Sequence, residues 1–479
     1  MRRAVLGTWW LLLTVACAGR APSAAVPRAD APVRTTLGTL TGTSTPRRGV
    51  RAYLGVPFAA PPVGDLRWRA PRPAAAWSGV RAADHFSPAC MQAAPAAFGP
   101  WTLEFLLRGP VSEDCLYLNV WTAAAPNERR PVLVYVYGGG FSSGSGDVPV
   151  YDGAALAEKG LVVLTINYRV GAFGFLAHPA LSAESADHAS GNYGLLDQIA
   201  ALEWVRDNVA AFGGDPRRVT IAGQSAGAMS VFLLTASPRA KGLFHRAIIE
   251  SGPGALASFG VATSRDVARP LADAEREGAA FAEGKGARTA AELRALSAST
   301  VLAPPGRPAR FGPVVDGALL RDGFAPGAGG DVPTIAGMNA DEGSFAPSYA
   351  ASDKSPAREA GLAALRAVLA ERAATAHAPA FMYYFDRAIP WPARPEFGAF
   401  HTAEVPYVFG TLGSLPRPWT DVDRRLSETM MGYWVNFAAR GDPNGPGLPT
   451  WPAFDPRTDT LMELGERVGP RTDASSHDR

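Results

Sequence analysis

Residues 218–227 read Arg218-Val219-Thr220-Ile221-Ala222-Gly223-Gln224-Ser225-Ala226-Gly227, and this stretch decides the fold. Its first half is a short apolar run with β-strand character, and the following run, Ala228 to Ala236, has the composition of a buried helix. A strand, a sharp turn and a helix with a serine at the apex are typical of a nucleophile elbow, where glycines allow a turn too tight for side chains. The stretch therefore predicts a strand-to-helix turn with Ser225 as the nucleophile.

The same pattern occurs once more, at Gly140-Phe141-Ser142-Ser143-Gly144, so the pattern alone decides little. The residues after each serine separate the two matches, because residues 143–149 are rich in Gly, Ser and Pro and cannot begin a helix. Ser225 keeps the role of nucleophile.

Apolar β-like runs alternate with helical ones along the rest of the chain. The strand candidates are Leu116 to Trp121, Val132 to Tyr137, Val162 to Tyr168, Val219 to Ala222, Ala247 to Glu250, Thr334 to Met338 and Phe381 to Phe385, preceded by two antiparallel candidates, Thr35 to Thr43 and Val50 to Phe58. Leu195 to Phe212 has helical spacing, and Ser264 to Leu302 and Ser344 to Ala376 are predicted to form a helical cap. This alternation predicts an α/β fold, with one domain over residues 34–468 and a mostly parallel sheet with helices on both faces.

The charge balance argues against a nucleic-acid partner. The chain has 46 Lys and Arg residues against 44 Asp and Glu residues, a net charge of +2, and no basic run with interleaved aromatic residues. At 479 residues and 47% hydrophobic content it can bury a large core. The sequence contains no GxxxxGK[ST] match and no GxGxxG before a helix, which argues against a phosphate-binding or dinucleotide site. We predict no cofactor and no metal.

The amino terminus has the layout of a signal peptide over residues 1–17. Arg2 and Arg3 precede an apolar stretch, Ala4 to Ala16, that is too short to span a bilayer. The small residues before Cys17 also resemble a bacterial lipobox, so both lipid attachment at Cys17 and plain cleavage fit the sequence. We expect an extracytoplasmic protein, secreted, periplasmic or tethered to a membrane by lipid on Cys17. An Ala/Pro linker is predicted over residues 18–33 and a flexible tail over residues 469–479.

Cys90 and Cys115 are the two cysteines of the mature chain. In an oxidising compartment two cysteines form a disulfide more often than they stay free thiols. Neither lies beside a histidine in a nucleophile motif, so we predict a structural role for both.

A serine hydroxyl needs a base to remove its proton and an acid to orient that base. In open α/β sheets the crevice lies beyond the carboxyl ends of the strands, and in α/β-hydrolases the chain order is serine, acid, histidine. Five histidines precede Ser225, follow it too closely or lie in the tail: His85, His178, His188, His245 and His477. His377 precedes the strand Phe381 to Phe385, whereas His401 follows it, so His401 is the predicted general base.

The acid is expected directly after the strand Thr334 to Met338, where the chain reads Asn339-Ala340-Asp341-Glu342-Gly343. We favour Glu342 and place Asp341 next. Spacing alone does not separate these neighbours, and a carboxylate in such a loop often serves as a local hydrogen-bond acceptor.

The negative oxygen formed by acyl attack needs backbone N–H donors that already point at it. Gly138-Gly139-Gly140-Phe141 directly follows the strand Val132 to Tyr137 and has no Cβ at its three glycines. We predict an oxyanion hole made by the amides of Gly139, Gly140 and Ala226.

Together these residues resemble the type-B carboxylesterase and cholinesterase family of α/β-hydrolases. The resemblance runs from about Thr36 to Pro456 and rests on blocks that match in order: Pro61-Pro62-Val63-Gly64-Asp65-Leu66-Arg67-Trp68, Glu113-Asp114-Cys115-Leu116-Tyr117-Leu118-Asn119-Val120, Asn167-Tyr168-Arg169-Val170-Gly171-Ala172-Phe173-Gly174-Phe175, Phe212-Gly213-Gly214-Asp215-Pro216 and Gly441-Asp442-Pro443-Asn444. It implies an α/β-hydrolase fold and a serine carboxylesterase that acts on a small-molecule ester through an acyl-enzyme.

The resemblance also implies particular roles. It implies Ser225, Glu342 and His401 as the catalytic triad, with Gln224 and Ser251 next to it. It implies a Cys90–Cys115 disulfide and two ion pairs, Arg67 with Glu113 and Arg169 with Asp215.

Departures from the family pattern limit the substrate. Gln224 replaces the usual glutamate, Arg307 and Ala309 stand where cholinesterases carry aromatic residues, and Trp101 is the only candidate for the choline-binding tryptophan. We therefore expect small to medium uncharged or aromatic esters rather than choline esters. The short stretch from Glu342 to His401 implies a shortened cap and a wider cleft. The alternatives are a catalytically silent binding or adhesion module and a lipase for longer-chain esters.

Overall fold

The computed structural model describes residues 31–126, 128–257, 261–303, 310–324, 330–350, 352–458 and 460–472. Its strands are β1 (Val33–Arg34), β2 (Thr39–Thr41), β3 (Thr43–Ser44), β4 (Arg51–Pro57), β5 (Val80–Ala82), β6 (Ala89–Cys90), β7 (Val111–Ser112), β8 (Tyr117–Thr122), β9 (Arg130–Val136), β10 (Val162–Ile166), β11 (Gly214–Gln224), β12 (Arg246–Glu250), β13 (Arg269–Pro270), β14 (Val314–Val315), β15 (Thr334–Asn339), β16 (Ala380–Phe385), β17 (Thr460–Leu464) and β18 (Val468–Thr472). Its α-helices are α1 (Ala154–Glu158), α2 (Gly171–Phe175), α3 (Pro179–Glu184), α4 (Tyr193–Asn208), α5 (Ala226–Ala236), α6 (Leu271–Gly284), α7 (Ala290–Ala295), α8 (Ala298–Leu302), α9 (Pro347–Ala350), α10 (Ser355–Ala373), α11 (Val405–Val408) and α12 (Asp421–Arg440).

The centre of the molecule is an 11-stranded sheet in the order β18-β17-β16-β15-β12-β11-β9-β10-β8-β4-β3. From β17 to β10 in this order, each strand is parallel to the next. The remaining pairs, β18–β17 at one end and β10–β8, β8–β4 and β4–β3 at the other, are antiparallel. Every residue of β10, β15 and β16 is buried, which is typical of strands that are covered on both faces. The predicted α/β fold with a mostly parallel sheet and helices on both faces is confirmed.

Four loops that matter for function leave this sheet beyond the carboxyl ends of its parallel strands. The glycine run follows β9, Ser225 follows β11, and Glu342 follows β15. The loop after β16 leads to His401. Because parallel strands end at one edge of a sheet, the fold brings residues that are far apart in sequence into one crevice.

The carboxyl-terminal prediction is wrong at its boundary. Residues 469–472 belong to β18, which pairs antiparallel with β17 at the edge of the sheet, and the rest of the predicted tail lies outside the described residues. Pro470 is tolerated there because an edge strand has one side without ladder hydrogen bonds. The predicted signal peptide, Cys17 and most of the linker also lie outside the described residues.

One of the two implied ion pairs is present and the other is wrong. Arg67 contacts both oxygens of Glu113, at 2.6 and 2.5 Å. Arg169 binds the buried Asp197 of α4 instead of Asp215, with two side-chain bonds of 2.8 and 2.7 Å. Asp215, at the start of β11, instead lies near Arg129 and Arg217, at 4.0 and 3.6 Å. The bidentate pair with Asp197 gives the guanidinium two parallel hydrogen bonds to one carboxylate. Within the described ranges, no helix is both long and apolar enough to cross a membrane.

Candidate active site

Ser225 occupies the sharp turn between β11 and α5 with φ 58° and ψ −123°. A Cβ added to Gly227 would lie 2.0 Å from the carbonyl oxygen of Val136, and one added to Gly223 would lie 2.6 Å from the backbone of Gly227. Only glycine fits these two positions, which explains the pattern around the serine. The elbow is fixed further by the Ser225 N–H, which donates to the carbonyl oxygen of Glu250 at 2.9 Å.

His401 and Glu342 meet directly. Nδ1 of His401 lies 2.5 Å from Oε2 of Glu342, and the two residues are only 8% and 4% exposed. A carboxylate accepts hydrogen bonds, so this contact places the proton on Nδ1 and leaves Nε2 as the basic nitrogen.

The other oxygen of Glu342 is also occupied. Oε1 accepts a hydrogen bond from the hydroxyl of Ser251 at 2.6 Å and one from the backbone N–H of Asn339 at 2.8 Å. Ser251 follows β12 and has φ 54° in a fully buried position. These two donors fix the carboxylate so that Oε2 faces the imidazole.

Asp341 points away from the imidazole. Its Oδ1 pairs with Arg358 at 2.7 Å, and its Oδ2 accepts the backbone N–H of Ala399 at 2.9 Å. The backbone N–H of Asp341 in turn donates to the carbonyl oxygen of Ala399 at 2.9 Å. Asp341 therefore connects the loop of Glu342 to the loop of His401. The spacing in the sequence did not distinguish Asp341 from Glu342 as the partner of the imidazole, and in the structure the carboxylate that contacts it is that of Glu342.

Gln224 lies against the same imidazole. Its amide nitrogen is 3.2 Å from Nε2 of His401 and 3.4 Å from Nδ1, and the residue is 1% exposed. Nδ1 already carries the proton shared with Glu342. An atom almost equidistant from the two ring nitrogens does not lie in line with the lone pair of Nε2, so the amide packs against the imidazole and leaves the direction from Nε2 to the proposed nucleophile unblocked.

The glycine run after β9 leaves backbone donors free at the cavity. Gly139 and Gly140 have φ 117° and 62°, and a Cβ on Gly139 would lie 2.2 Å from the carbonyl oxygen of Ser143. The N–H groups of Gly139, Gly140 and Ala226 donate to no acceptor among the described residues. Such donors suit an oxygen that becomes negative during a reaction.

Ser225, His401 and the glycine run line a cavity of about 390 Å³. The apolar and aromatic part of its lining consists of Pro95, Phe98, Trp101, Phe105, Leu106, Leu107, Val148 and Tyr151. The rest of the lining consists of the glycine run and of polar residues: Gln92, Ser142, Ser143, Gln224, Ser225, His401 and Thr402. Within the described part of the chain, the lining includes no Asp, Glu, Lys or Arg. The predicted residues Arg307 and Ala309 lie outside the described residues.

The Cys90–Cys115 disulfide is present and closes the loop that supplies most of this apolar lining. Trp101 in that loop lies edge-on to His401, with 6.2 Å between the ring centroids and 85° between the planes. Its indole nitrogen donates to Oγ1 of Thr402 at 2.9 Å. The sequence indicated Trp101 only as a candidate for the choline-binding tryptophan. Its bond to Thr402, 301 positions further along the chain, was not predicted.

Two buried carboxyl groups close to the site, those of Glu404 and Glu250, were not predicted from the sequence. Oε2 of Glu404 accepts from the side-chain amide of Asn339 at 2.5 Å, and Oε1 of Glu250 accepts from the indole of Trp434 at 2.8 Å. Burial and the charge of Glu342 raise the pKa of Glu404 to about 7. Burial and Glu404 raise the pKa of Glu250 well above its ordinary value. Their positions in the sequence could have indicated a place near the site, because Glu250 directly precedes Ser251 and Glu404 follows His401 by three residues.

A family model described as Carboxylesterase family matches residues 29–363 and 362–477. The chain belongs to this family. It is 39% identical to the fumonisin B1 esterase of Sphingopyxis macrogoltabida over 88% of this chain and 84% of that protein. It is 34% identical to the para-nitrobenzyl esterase of Bacillus subtilis (strain 168), covering 93% and 97% of the two chains. It is 35% identical to the human cocaine esterase, covering 91% and 89%.

Membership in the carboxylesterase family establishes the general chemistry. The protein is a carboxylic ester hydrolase with the α/β-hydrolase fold, and its substrates are small-molecule esters. These relationships argue against the alternative of a catalytically silent binding module.

Proposed function

We propose that this carboxylesterase hydrolyses small to medium uncharged or aromatic esters through an acyl-enzyme on Ser225. The observation that best supports the proposal is the buried 2.5 Å contact between Nδ1 of His401 and Oε2 of Glu342, at the cavity that Ser225 and His401 both line. A serine at a glycine-flanked elbow, an oriented imidazole and free backbone donors are the three parts that acyl transfer to a hydroxyl requires.

In acylation, Oγ of Ser225 attacks the ester carbonyl carbon while Nε2 of His401 takes the hydroxyl proton. The carbonyl oxygen becomes negative and receives hydrogen bonds from the amides of Gly139, Gly140 and Ala226. The intermediate then collapses, the bond to the alcohol oxygen breaks, and the imidazolium returns the proton to the leaving alcohol. Glu342 holds the tautomer and stabilises the imidazolium.

In deacylation a water molecule replaces the alcohol. Nε2 of His401 removes a proton from this water, whose oxygen attacks the acyl carbon of the ester on Ser225. The same amides stabilise the second oxyanion. Collapse releases the carboxylic acid and returns the proton to Oγ of Ser225.

The cavity lining supports the substrate class. Much of its lining is apolar or aromatic, including Phe98, Trp101, Phe105 and Tyr151, and no Asp, Glu, Lys or Arg appears among the described lining residues. A charged group in such a cavity would lose hydration without gaining a partner. Uncharged acyl and alcohol groups are therefore favoured.

Kinetics on p-nitrophenyl acetate and butyrate test the proposal. We expect the wild type to hydrolyse both and Ser225→Ala to lose a factor of about 10⁴ to 10⁶ in kcat. A fluorophosphonate probe should label the wild type and Ser142→Ala, which changes the serine of the second pattern match, but not Ser225→Ala. Full activity in Ser225→Ala, or an inert wild type, would overturn the proposal.

A lipase for longer-chain esters is the second candidate. The observation that favours it is Phe98, which lines the cavity and is nevertheless 59% exposed at its mouth. A p-nitrophenyl ester series of increasing chain length, measured below and above the solubility limit, separates the two candidates. A rise in rate on aggregated substrate would support the lipase.

We further propose an extracytoplasmic location, on the basis of Arg2, Arg3 and the apolar stretch before Cys17. Expression with a radiolabelled fatty acid tests lipid attachment. Label in the wild type but not in Cys17→Ser would support a lipid tether, and an unlabelled but exported wild type would support plain cleavage.

A further inference from the structure

The backbone directly after His401 adopts an unfavourable conformation. Thr402 has φ 85° and is 8% exposed. This region of φ favours glycine, and a β-branched residue is particularly disfavoured there. Such a conformation persists only where surrounding contacts hold it.

Trp101 supplies one of those contacts. Its Nε1 donates to Oγ1 of Thr402 at 2.9 Å, so the side chain of the strained residue is fixed from across the cavity. The hydroxyl of a threonine moves with its backbone because χ1 is restricted. The indole therefore acts on the backbone that carries His401.

Trp101 is itself held on two sides. Its backbone exchanges hydrogen bonds with Phe98 in both directions, at 3.1 and 3.2 Å. Its ring packs against Phe345, with 5.3 Å between the centroids, and Phe345 lies three residues after Glu342. One side chain thus contacts the loop of the acid and the loop of the base.

We propose that Trp101 is a positioning residue for His401: its indole N–H holds the left-handed backbone at Thr402, and through it the orientation of the imidazole toward Glu342 and Ser225. This inference rests on the proposed function, because it takes His401 as the general base. The ring of Trp101 also forms part of the cavity wall, so the N–H and the ring have separable roles.

Conservative variants separate these roles. Trp101→Phe keeps an aromatic wall and removes the donor, and Thr402→Val removes the acceptor while keeping the β-branched shape. We expect kcat on p-nitrophenyl acetate to fall roughly tenfold in each, with KM changed by less than about twofold, because one hydrogen bond and a small misplacement of the base are lost. Combining the two changes should add little, since both remove the same bond.

Glycine at 402 tests the strain itself. Thr402→Gly also lacks the acceptor, but glycine adopts the left-handed region freely, so its kcat should stay within about threefold of the wild type. The matched control is Trp77→Phe, which removes an indole bond of 3.0 Å to the carbonyl oxygen of Thr39, and neither residue lines the cavity. That control should leave kcat unchanged.

Rates are expressed per site labelled by the fluorophosphonate, so a poorly folded fraction does not enter kcat. The inference is overturned if Trp101→Phe keeps the wild-type kcat, if its loss appears only in KM, if the Trp101→Phe and Thr402→Val effects multiply, or if Thr402→Gly is as impaired as Thr402→Val. If Trp101→Phe does not fold, the comparison of Thr402→Val with Thr402→Gly decides alone. An unaffected Trp101→Phe beside an inactive Ser225→Ala refutes this inference and leaves the proposed function standing, whereas an active Ser225→Ala refutes both.

Discussion

The side-chain amide nitrogen of Gln224 lies 3.2 Å from Nε2 of His401, the nitrogen that the proposed mechanism uses as base. The amide packs against the imidazole, and a neutral side chain at 224 adds no negative charge that would stabilise the imidazolium formed during the reaction. A glutamate, which the family pattern usually has there, would stabilise the imidazolium. We therefore expect a charge at the residue before the nucleophile to change the pH dependence of the reaction.

Gln224→Glu should move the acidic limb of kcat/KM to higher pH. We expect a shift of about half to one pH unit, because a carboxylate within hydrogen-bond distance stabilises the positive imidazolium. The profile is measured on a p-nitrophenyl ester at constant ionic strength. Gln224→Met is the control, since it changes the contact without adding charge and should leave the limb in place. An acidic limb that does not rise in Gln224→Glu contradicts the interpretation.

Glu342 and Asp341 should respond differently to loss of charge. Glu342→Gln keeps the shape but favours the wrong tautomer of His401, and we expect kcat to fall by about 10³ to 10⁴. Asp341→Asn weakens the ion pair with Arg358 and the bond to Ala399, so it should lower the melting temperature and reduce kcat by only about tenfold. Equal losses of kcat would contradict the division of roles that the geometry supports.

The local parts of the fold and site were predictable because they depend on close backbone approaches. Gly223 and Gly227 are needed where α5 crosses the end of β9, and this requirement is visible in the sequence as a pattern. The buried strands were predictable for a similar reason, since a strand covered on both faces must be continuously apolar. The edge strand β18 was not predicted, because Val468–Thr472 pairs with a neighbour on one side and so needs no continuous apolar run.

The long-range parts were not predictable from these residues. Nothing in the sequence around Arg169 distinguishes Asp197 from Asp215, because the choice depends on how α4 packs beneath the sheet. The bond between Trp101 and Thr402 joins two loops that meet only after the sheet has formed. Glu404 was passed over because a glutamate is ordinarily exposed, and its burial follows from helix and strand packing around it.

Ser251→Ala should lower kcat with little change in KM. The hydroxyl donates to Oε1 of Glu342 at 2.6 Å, and its loss leaves the Asn339 N–H as the one donor to that oxygen among the described residues. A bond to a charged group is typically worth about 1.5–3 kcal/mol, and with one donor retained we expect roughly a tenfold loss. The control is Ser237→Ala, a buried serine bonded to the carbonyl oxygen of Leu319, which should lower stability without lowering kcat. An unchanged kcat in Ser251→Ala would rule out the positioning role.

Glu404 should make stability fall as pH rises. Its pKa is about 7 in the folded protein against an ordinary value of 4.5, so between these values the folded state holds a proton that the unfolded state has lost. The resulting cost therefore develops as the pH rises across that window and is greatest above it. Glu404→Gln is neutral and can still accept from Asn339.

Denaturant unfolding of wild type and Glu404→Gln at about pH 4.5 and about pH 8 measures this cost. We expect the variant to gain stability relative to the wild type at the higher pH and to lose most of that advantage at the lower one. Glu428→Gln, at an exposed position paired with Lys159, serves as the control and should show little pH-dependent difference. An advantage that is equal at both pH values contradicts the assignment of the titration to Glu404.

The Cys90–Cys115 disulfide should support activity as well as stability. It closes a loop whose ends are 25 residues apart, and in the chain-entropy model its removal destabilises the fold by about 3 kcal/mol. The same loop carries Phe98, Trp101 and Phe105, which line the cavity, so a loosened loop would also release the contact between Trp101 and Thr402. We therefore expect the double variant Cys90→Ala, Cys115→Ala to lose kcat at temperatures well below its unfolding transition, and the loss should shrink when Thr402→Gly is added. A double variant with a lowered melting temperature but wild-type kcat would show that the bridge stabilises the fold without ordering the site.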